Sequence, residues 1–315
     1  MIRRLALALA LSLSSTAMAQ EPAGERTELT VLLDWFVNPD HAPLIVAEEK
    51  GWFAEAGLDV TLIPPSDPSA PPRLVAAGQG DIAVSYQPNL YLQAAEGLPL
   101  TWVGTLIETP LNSLVVLENG EIDGLADLEG KTVGFSVGGF EDVLLGMMLE
   151  SVGLTLDDVN LVNVNFSLSP SLITGQVDAV IGAFRNFELN QLDIEERPGL
   201  AFYPEEHGVP VYDELIYVTR RDQAGDAAIA RFLEVAERGA IWMTNHPEEA
   251  LALFIAAHPD LDNELNRRAF ADTLPRFAKR VRALDEARYE RFADFVEASG
   301  LIDGELPPLE TYVAQ

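Results

Sequence analysis

The stretch Leu29-Thr30-Val31-Leu32-Leu33-Asp34-Trp35-Phe36-Val37-Asn38-Pro39-Asp40-His41 decides how the rest of the chain is read. Residues 29–33 are an apolar run of strand length and read as a short buried β-strand. The run ends in a polar and aromatic turn closed by Asn38-Pro39-Asp40, and a helical pattern follows over residues 42–56. Strand, turn and helix in that order open an α/β unit. In such units ligands collect at the carboxyl ends of the strands. A carboxylate, an indole, an amide and an imidazole (Asp34, Trp35, Asn38, His41) gathered at one strand end make a candidate binding surface. The plainer alternative is a turn with a core tryptophan.

Working outward, Gly57 stops the first helix at the position where a left-handed residue is needed. Strands are expected over residues 58–63, 81–85 and 100–107, with helices over 72–77 and 89–96. Pro64-Pro65-Ser66-Asp67-Pro68 forms a stiff loop at the end of the second strand. A second unit follows the loop 118–125. Its strands are expected over 131–137, 159–164 and 178–183, and its helices over 140–152 and 169–173. The two units share a signature, Gly78-Gln79-Gly80-Asp81 in the first and Gly175-Gln176-Val177-Asp178 in the second. Each is a helix stop, a Gln, an Asp and then a buried strand. The repeat distance is too long for a solenoid and suits two similar lobes.

The tail reads as one strand, 214–219, and four helices, 227–244, 247–257, 263–274 and 285–299. Four helices after a single strand cannot start a third sheet, so they return to an existing one. The expected organisation is a first lobe of residues 27–115 and 212–315, and a second of 116–211. Clefts between lobes of this kind bind small molecules.

Composition narrows the function. Asp and Glu outnumber Lys and Arg 50 to 20, a net charge of -30. That excess argues against nucleic acid as a partner, because phosphate backbones are met by Lys and Arg. A hydrophobic fraction of 48% is that of a packed globular chain. Cysteine is absent, which rules out disulfides, a thiol nucleophile, Cys-ligated metals and a Cys-linked lipid anchor. Arg3-Arg4, the apolar residues 5–13 and Ala17-Met18-Ala19 are the three parts of a secretory signal. Cleavage after Ala19 is expected, then a flexible segment 20–26. The expected compartment is the periplasm.

With the strand ends of both lobes facing one cleft, the first lobe offers Asp34, Trp35, Asn38, His41, Ser66, Tyr86 and Asn112. The second offers Ser136, Phe140, Asn165, Phe184, Asn186 and Glu188. Aromatics dominate, and Arg185 is the one nearby cation. Aromatic walls suit a flat ring, and a carboxylate suits the N–H donors of an aminopyrimidine. Gly138-Gly139 could present backbone N–H groups to a small anionic group. No HExxH, Walker or GxSxG pattern is expected to carry catalysis, His207, His246 and His258 lie scattered, and no metal or cofactor is expected.

Several stretches carry a family resemblance. Asp34-Trp35-Phe36 with Asn38-Pro39-Asp40-His41, Glu48-Glu49-Lys50-Gly51-Trp52-Phe53, and Asp127-Leu128-Glu129-Gly130-Lys131-Thr132-Val133-Gly134 resemble the NMT1/THI5-like group. That group holds solute-binding proteins of ABC importers and a eukaryotic thiamine pyrimidine synthase. Val84-Ser85-Tyr86-Gln87-Pro88 and Phe184-Arg185-Asn186-Phe187-Glu188 resemble its formylaminopyrimidine-binding branch. The resemblance implies a two-lobed periplasmic binding protein fold of type II, α/β, each lobe a small, mostly parallel sheet flanked by helices. It also implies a monomer that hands an aminopyrimidine to a permease and its ATPase. Carried over by position, Trp35 and Tyr86 would stack on the ring and Glu188 would bond its edge. Asp34, Asn38 and Asn112 would meet amino or formyl groups. Binding another solute such as a sulfonate, or a synthase-like activity, are the alternatives. The synthases of the group use a Cys-rich iron motif, which this chain lacks.

Overall fold

The structure, a computed structural model, describes residues 26–300, 302 and 305–313. The expected secretory signal lies outside the described residues. In chain order the elements are β1 (Thr27–Leu32), α1 (Ala42–Glu49), α2 (Trp52–Glu55), β2 (Leu58–Ile63), α3 (Pro71–Ala76), β3 (Ile82–Tyr86), α4 (Gln87–Ala95), β4 (Leu100–Ile107) and β5 (Asn112–Leu117). The second unit continues with β6 (Thr132–Phe135), α5 (Glu141–Glu150), β7 (Asn160–Asn163), α6 (Leu168–Ile173), β8 (Ala179–Phe184), α7 (Glu188–Ile194) and β9 (Gly199–Phe202). The tail holds β10 (Leu215–Arg220), α8 (Ala227–Asn245), α9 (Pro247–Ala257), α10 (Glu264–Thr273) and α11 (Glu286–Ser299).

These strands form two sheets of the same plan. The first has the order β2-β1-β3-β10-β4 and the second β7-β6-β8-β5-β9. In the first sheet β1 runs parallel to β2 and β3, while β10 is antiparallel to β3 and β4. In the second sheet β5 is the antiparallel strand, between β8 and β9. The chain crosses from one sheet to the other after β4 and returns before β10. All of β5 belongs to the second sheet, with Asn112 paired to Phe184 and Ser113 to Ala183. The boundary expected at residue 115 therefore falls earlier, in the short crossing after Ile107. The apolar run 114–117 had marked only the later half of the strand.

The repeated signature has a concrete job. Gly78 and Gly175 stop their helices with φ of +75° and +71°. Asp81 then accepts a hydrogen bond from the Thr30 backbone N–H at 2.7 Å, and Asp178 accepts one from Thr132 at 2.8 Å. Each Asp thus ties the start of β3 or β8 to the neighbouring parallel strand, β1 or β6. The second sheet also shows why its strands read as continuous apolar runs. Leu114, Val116, Val133 and Ile181 pack on one face. Val115, Val180, Val164 and Leu172 pack on the other. Alternate residues point to opposite faces, and both faces are covered by helices.

One expected element differs from the observed one, and two observed elements were not expected. The helix expected over 42–56 breaks at Gly51, whose φ of +69° ends α1 and starts α2. β9 and α7 had no expectation at all. β9 is a four-residue edge strand, too short for alternation to show, and α7 is short and mostly polar.

The tail packs on the first lobe. Phe232 of α8 stacks on Phe53 at 5.5 Å and meets Tyr217 of β10 edge-on at 5.4 Å. Helix α8 approaches α1 so closely that a Cβ on Gly239 would overlap the Pro43 carbonyl oxygen. Helix propensity alone favours Gly239→Ala by about 1 kcal/mol. The overlap reverses that preference, and the variant is expected to lose about 1–3 kcal/mol of stability in urea unfolding. A stabilised Gly239→Ala protein would contradict this helix contact.

Candidate functional site

The carboxyl ends of β1, β3, β6 and β8 converge on a cavity between the lobes. The first lobe contributes Asp34, Trp35, Asn38, Asp40 and Tyr86 to its walls, and the second contributes Glu141, Leu168, Gly182, Phe184, Phe187 and Glu188. The side chains close down on one another here, and the cavity volume left between them is only about 20 Å³.

The first-lobe wall is the turn after β1. Asn38 is extended and caps a single helical turn, its Oδ1 accepting from the Asp40 N–H at 2.7 Å, with Pro39 pre-set at the first position. The Asn38 N–H points to Nδ1 of His41 at 3.4 Å, and Nε2 of that ring is hydrogen-bonded to Asp34 Oδ1 at 2.9 Å. The Tyr86 hydroxyl donates to Asp34 Oδ2 at 3.1 Å. Both oxygens of Asp34 are therefore engaged, and its orientation is fixed from two elements.

The second-lobe wall uses one device twice. Glu188 opens α7 and accepts the Phe184 N–H at the end of β8, at 2.7 Å. Glu141 opens α5 and accepts the Ser136 N–H beyond β6, at 2.6 Å, with the Val137 N–H also facing it. Each carboxyl group satisfies backbone donors left where a strand ends. Gly182 leaves room for this. Its φ is +95°, and a Cβ there would overlap the Glu141 carboxyl group. The amides Glu141 takes are those of Ser136 and Val137; those of Gly138 and Gly139, the ones expected to meet a small anionic group, are not among its partners.

No Lys or Arg lines the cavity. Burial pushes Glu141 and Glu188 up from the ordinary 4.5 to about 8, although their backbone hydrogen bonds act the other way. Burial raises Asp40 from 3.8 to about 6, partly offset by the nearby His41. Desolvation outweighs hydrogen bonding in all three.

Aromatic rings close the rest. Tyr86 stacks on Phe140 with centroids 5.0 Å apart, and Phe184 meets Tyr86 edge-on at 6.5 Å. Trp35 is half-buried and meets Phe166 edge-on at 4.6 Å. Phe36 meets Phe187 at 5.9 Å. All four of these contacts join one lobe to the other, so the lobes are closed on each other. A buried polar cluster joins them too. Asn186 Nδ2 donates to Asp40 Oδ1 at 2.7 Å and to Thr273 Oγ1 of α10 at 2.6 Å. Beside it, Asn190 donates to Asp272 at 2.8 Å, and Arg268 pairs with Asp193 at 2.5 Å.

The crossings between lobes are braced. Glu214, just before β10, accepts the N–H groups of Leu111 and Asn112 at 2.6 and 2.9 Å. Arg185 donates to the carbonyls of the same two residues and pairs with Glu205 at 2.6 Å. The one cation expected near the cleft is therefore committed to the crossing strands.

Of the residues expected at the site, Asp34, Trp35, Asn38, Tyr86, Phe184 and Glu188 line the cavity. Five do not. His41 lies one layer behind, on Asp34. Phe140 backs Tyr86, and Asn186 is spent between lobes. Asn112 accepts the Gly182 N–H at 3.1 Å, bridging β5 and β8. Ser66 is exposed and does not line the cavity. Asp40, Glu141, Leu168, Gly182 and Phe187 line it without having been expected. Asp40 and Glu141 had a signal, an acid in the first turn after a strand end. Gly134-Phe135-Ser136-Val137-Gly138 has the spacing of a serine nucleophile turn. Ser136 is buried, however, and its hydroxyl donates to the Asn165 carbonyl, so it carries no such role.

Two α/β lobes of this strand order, joined by two crossings around a cavity at their strand ends, have the fold of periplasmic solute-binding proteins. A structure of an alkanesulfonate-binding protein from Xanthomonas axonopodis superposes with a TM-score of 0.74 at 16% identity, over 93% of this chain and 100% of that one. The NMT1/THI5-like family model matches residues 38–250, and the chain belongs to that family. A Haemophilus influenzae protein named for thiamine biosynthesis is 54% identical over 89% of this chain and 90% of its own. A formylaminopyrimidine-binding protein of Halalkalibacterium halodurans is 35% identical over 80% and 76%. A 4-amino-5-hydroxymethyl-2-methylpyrimidine phosphate synthase of Legionella pneumophila is 27% identical over 82% and 83%.

The raised carboxyl groups set a pH dependence. Between 4.5 and about 8 the folded protein holds protons on Glu141 and Glu188 that the unfolded chain has released. Their contribution to stability is therefore complete below 4.5 and is lost as pH rises through about 8. The ligand-free protein should lose melting temperature from pH 5 to 8, and Glu188→Gln should flatten that slope. A melting temperature that rises over this range in the wild type and the variant alike would contradict the protonation assigned to the cavity.

Proposed function

We propose that this protein captures a thiamine pyrimidine precursor, of the formylaminopyrimidine or hydroxymethylpyrimidine kind, in the interlobe cavity and delivers it to an ABC importer from the periplasm. The observation that carries this reading is the cavity lining. Aromatic faces and carboxyl groups line it, and no Lys or Arg does. Trp35 and Tyr86 offer faces for a flat ring. Glu188 offers a carboxyl group to the ring's amino edge, and Asp34 and Asn38 offer further polar atoms. A sulfonate or phosphate would meet four carboxyl groups and no cation, an unfavourable exchange for its hydration.

The relatives support the same reading. One relative's name gives formylaminopyrimidine as what it binds, and another's gives thiamine biosynthesis. The synthases are more distant, and the Cys-rich motif expected of that chemistry has no counterpart in a chain without Cys. Non-catalytic binding is therefore the function proposed.

Calorimetry with hydroxymethylpyrimidine, formylaminopyrimidine, thiamine and taurine tests this. Binding of the two aminopyrimidines and not of taurine is the expected result. Glu188→Ala should weaken it by about 1.5–3 kcal/mol through loss of a hydrogen bond at a buried acid. Trp35→Ala should cost about 2 kcal/mol in lost stacking and buried area. Taurine binding, or aminopyrimidine affinity unchanged in both variants, would overturn the assignment.

A further inference from the structure

The loop between β7 and α6 is the part of the cleft that the proposed function leaves without a role. The Ser167 N–H donates to the Val164 carbonyl at 3.0 Å, closing a turn with Asn165 and Phe166 in its middle. Asn165 has a φ of +52°, a left-handed backbone uncommon outside glycine. Two side chains fix it there. Asn163 Oδ1 accepts the Asn165 N–H at 2.8 Å, and the Ser136 hydroxyl, beyond the end of β6, donates to the Asn165 carbonyl. Backbone in such a region persists only where its surroundings enforce it. What the turn presents is Phe166. Its ring crosses to the first lobe and meets Trp35 at 4.6 Å and Phe36 at 6.2 Å. Trp35 also packs on the second-lobe core cluster that holds Val164 and Leu168, which flank Phe166 in the chain. Phe36 meets Phe187 of the second lobe at 5.9 Å. Two of these four rings, Trp35 and Phe187, line the cavity. The other two, Phe36 and Phe166, lie behind them, Phe36 exposed and Phe166 half-buried.

We propose that Phe166 is a positioning residue whose ring, engaged only when the lobes are together, holds the Trp35 indole in the cavity wall and so sets how long the ligand stays. The inference rests on the aminopyrimidine reading above. A ligand enters between parted lobes, before the contacts of Phe166 form, so the entry rate does not depend on them. It leaves only after the lobes part again, and parting separates Phe166 from both Trp35 and Phe36. Aromatic pairs of this kind contribute beyond the area they bury. A wall already held in place also spares the ligand the cost of ordering it. Loss of the ring therefore falls on dissociation, where most changes at one interface are read.

The test is stopped-flow binding of 4-amino-5-hydroxymethyl-2-methylpyrimidine, followed by tryptophan fluorescence. Phe166→Ala is expected to raise the dissociation rate about tenfold and to change the association rate less than about threefold. Phe166→Tyr keeps the ring and should stay within about threefold of the wild type in both rates. Ser136→Ala frees the Asn165 carbonyl and reads the same claim without touching Phe166. It should raise the dissociation rate by less, and added to Phe166→Ala it should raise it no further, because the two act as one unit. A dissociation rate unchanged in both Phe166→Ala and Ser136→Ala overturns the proposal. So does a loss carried by the association rate, or a Phe166→Tyr protein that releases ligand as fast as Phe166→Ala. If the pyrimidine does not bind the wild type, the aminopyrimidine reading fails and this inference falls with it. If it binds and its dissociation ignores these variants, that reading stands and only this inference is lost.

Discussion

Closing two sets of strand ends on each other takes four carboxyl groups, Asp34, Asp40, Glu141 and Glu188, out of water without a Lys or Arg among the residues that line the cavity. The rest of the site follows from how the chain absorbs that cost. Asp34 is held by a histidine and a tyrosine. Asp40 is held by Asn186 and Thr273 from across the cleft. The two glutamates accept amides at strand ends and keep their protons to about pH 8. A cavity so arranged favours ligands rich in N–H donors and disfavours anions. The fold is shared with an alkanesulfonate-binding protein.

The lobes share more than a strand order. Asp81 and Asp178 do the same work at the start of corresponding strands, and each sheet receives its antiparallel strand from beyond a crossing. The crossings are the only covalent joints between lobes among the described residues, and Glu214 and Arg185 fasten them through backbone groups of Leu111 and Asn112. Burial raises Glu214 to about 7, its hydrogen bonds opposing the rise. The contacts that hold the cleft shut are the aromatic pairs across the cavity and the polar cluster around Asn186 and α10. Such a division suits opening and closing about a braced joint.

Much of this was legible in the sequence, for physical reasons that can be named. Strands buried on both faces read as apolar runs, and glycines that need a positive φ ended the helices where expected, as at Gly78 and Gly175. Asp34, Trp35 and Tyr86 could be placed because strand ends carry ligands in α/β proteins. What failed was anything set by tertiary contact. Asn112 looked like a ligand group but spends its carbonyl oxygen on the Gly182 N–H of the next strand. Asn186 sits in a discriminating stretch, yet its partners, Asp40 and Thr273, are far away in sequence. Glu141 had a signal, an acid in the first turn after a strand end, but the acidic composition masked it. Its importance appears only with the glycine that makes room for it.

The most direct measurement of the central claim is a crystal structure of the protein grown with 4-amino-5-hydroxymethyl-2-methylpyrimidine. The account places the ring in the interlobe cavity against Trp35 or Tyr86, with its amino edge about 3 Å from the Glu188 carboxyl group. A pyrimidine bound outside this cavity, or seated in it with no carboxyl group in hydrogen-bonding range, would contradict it.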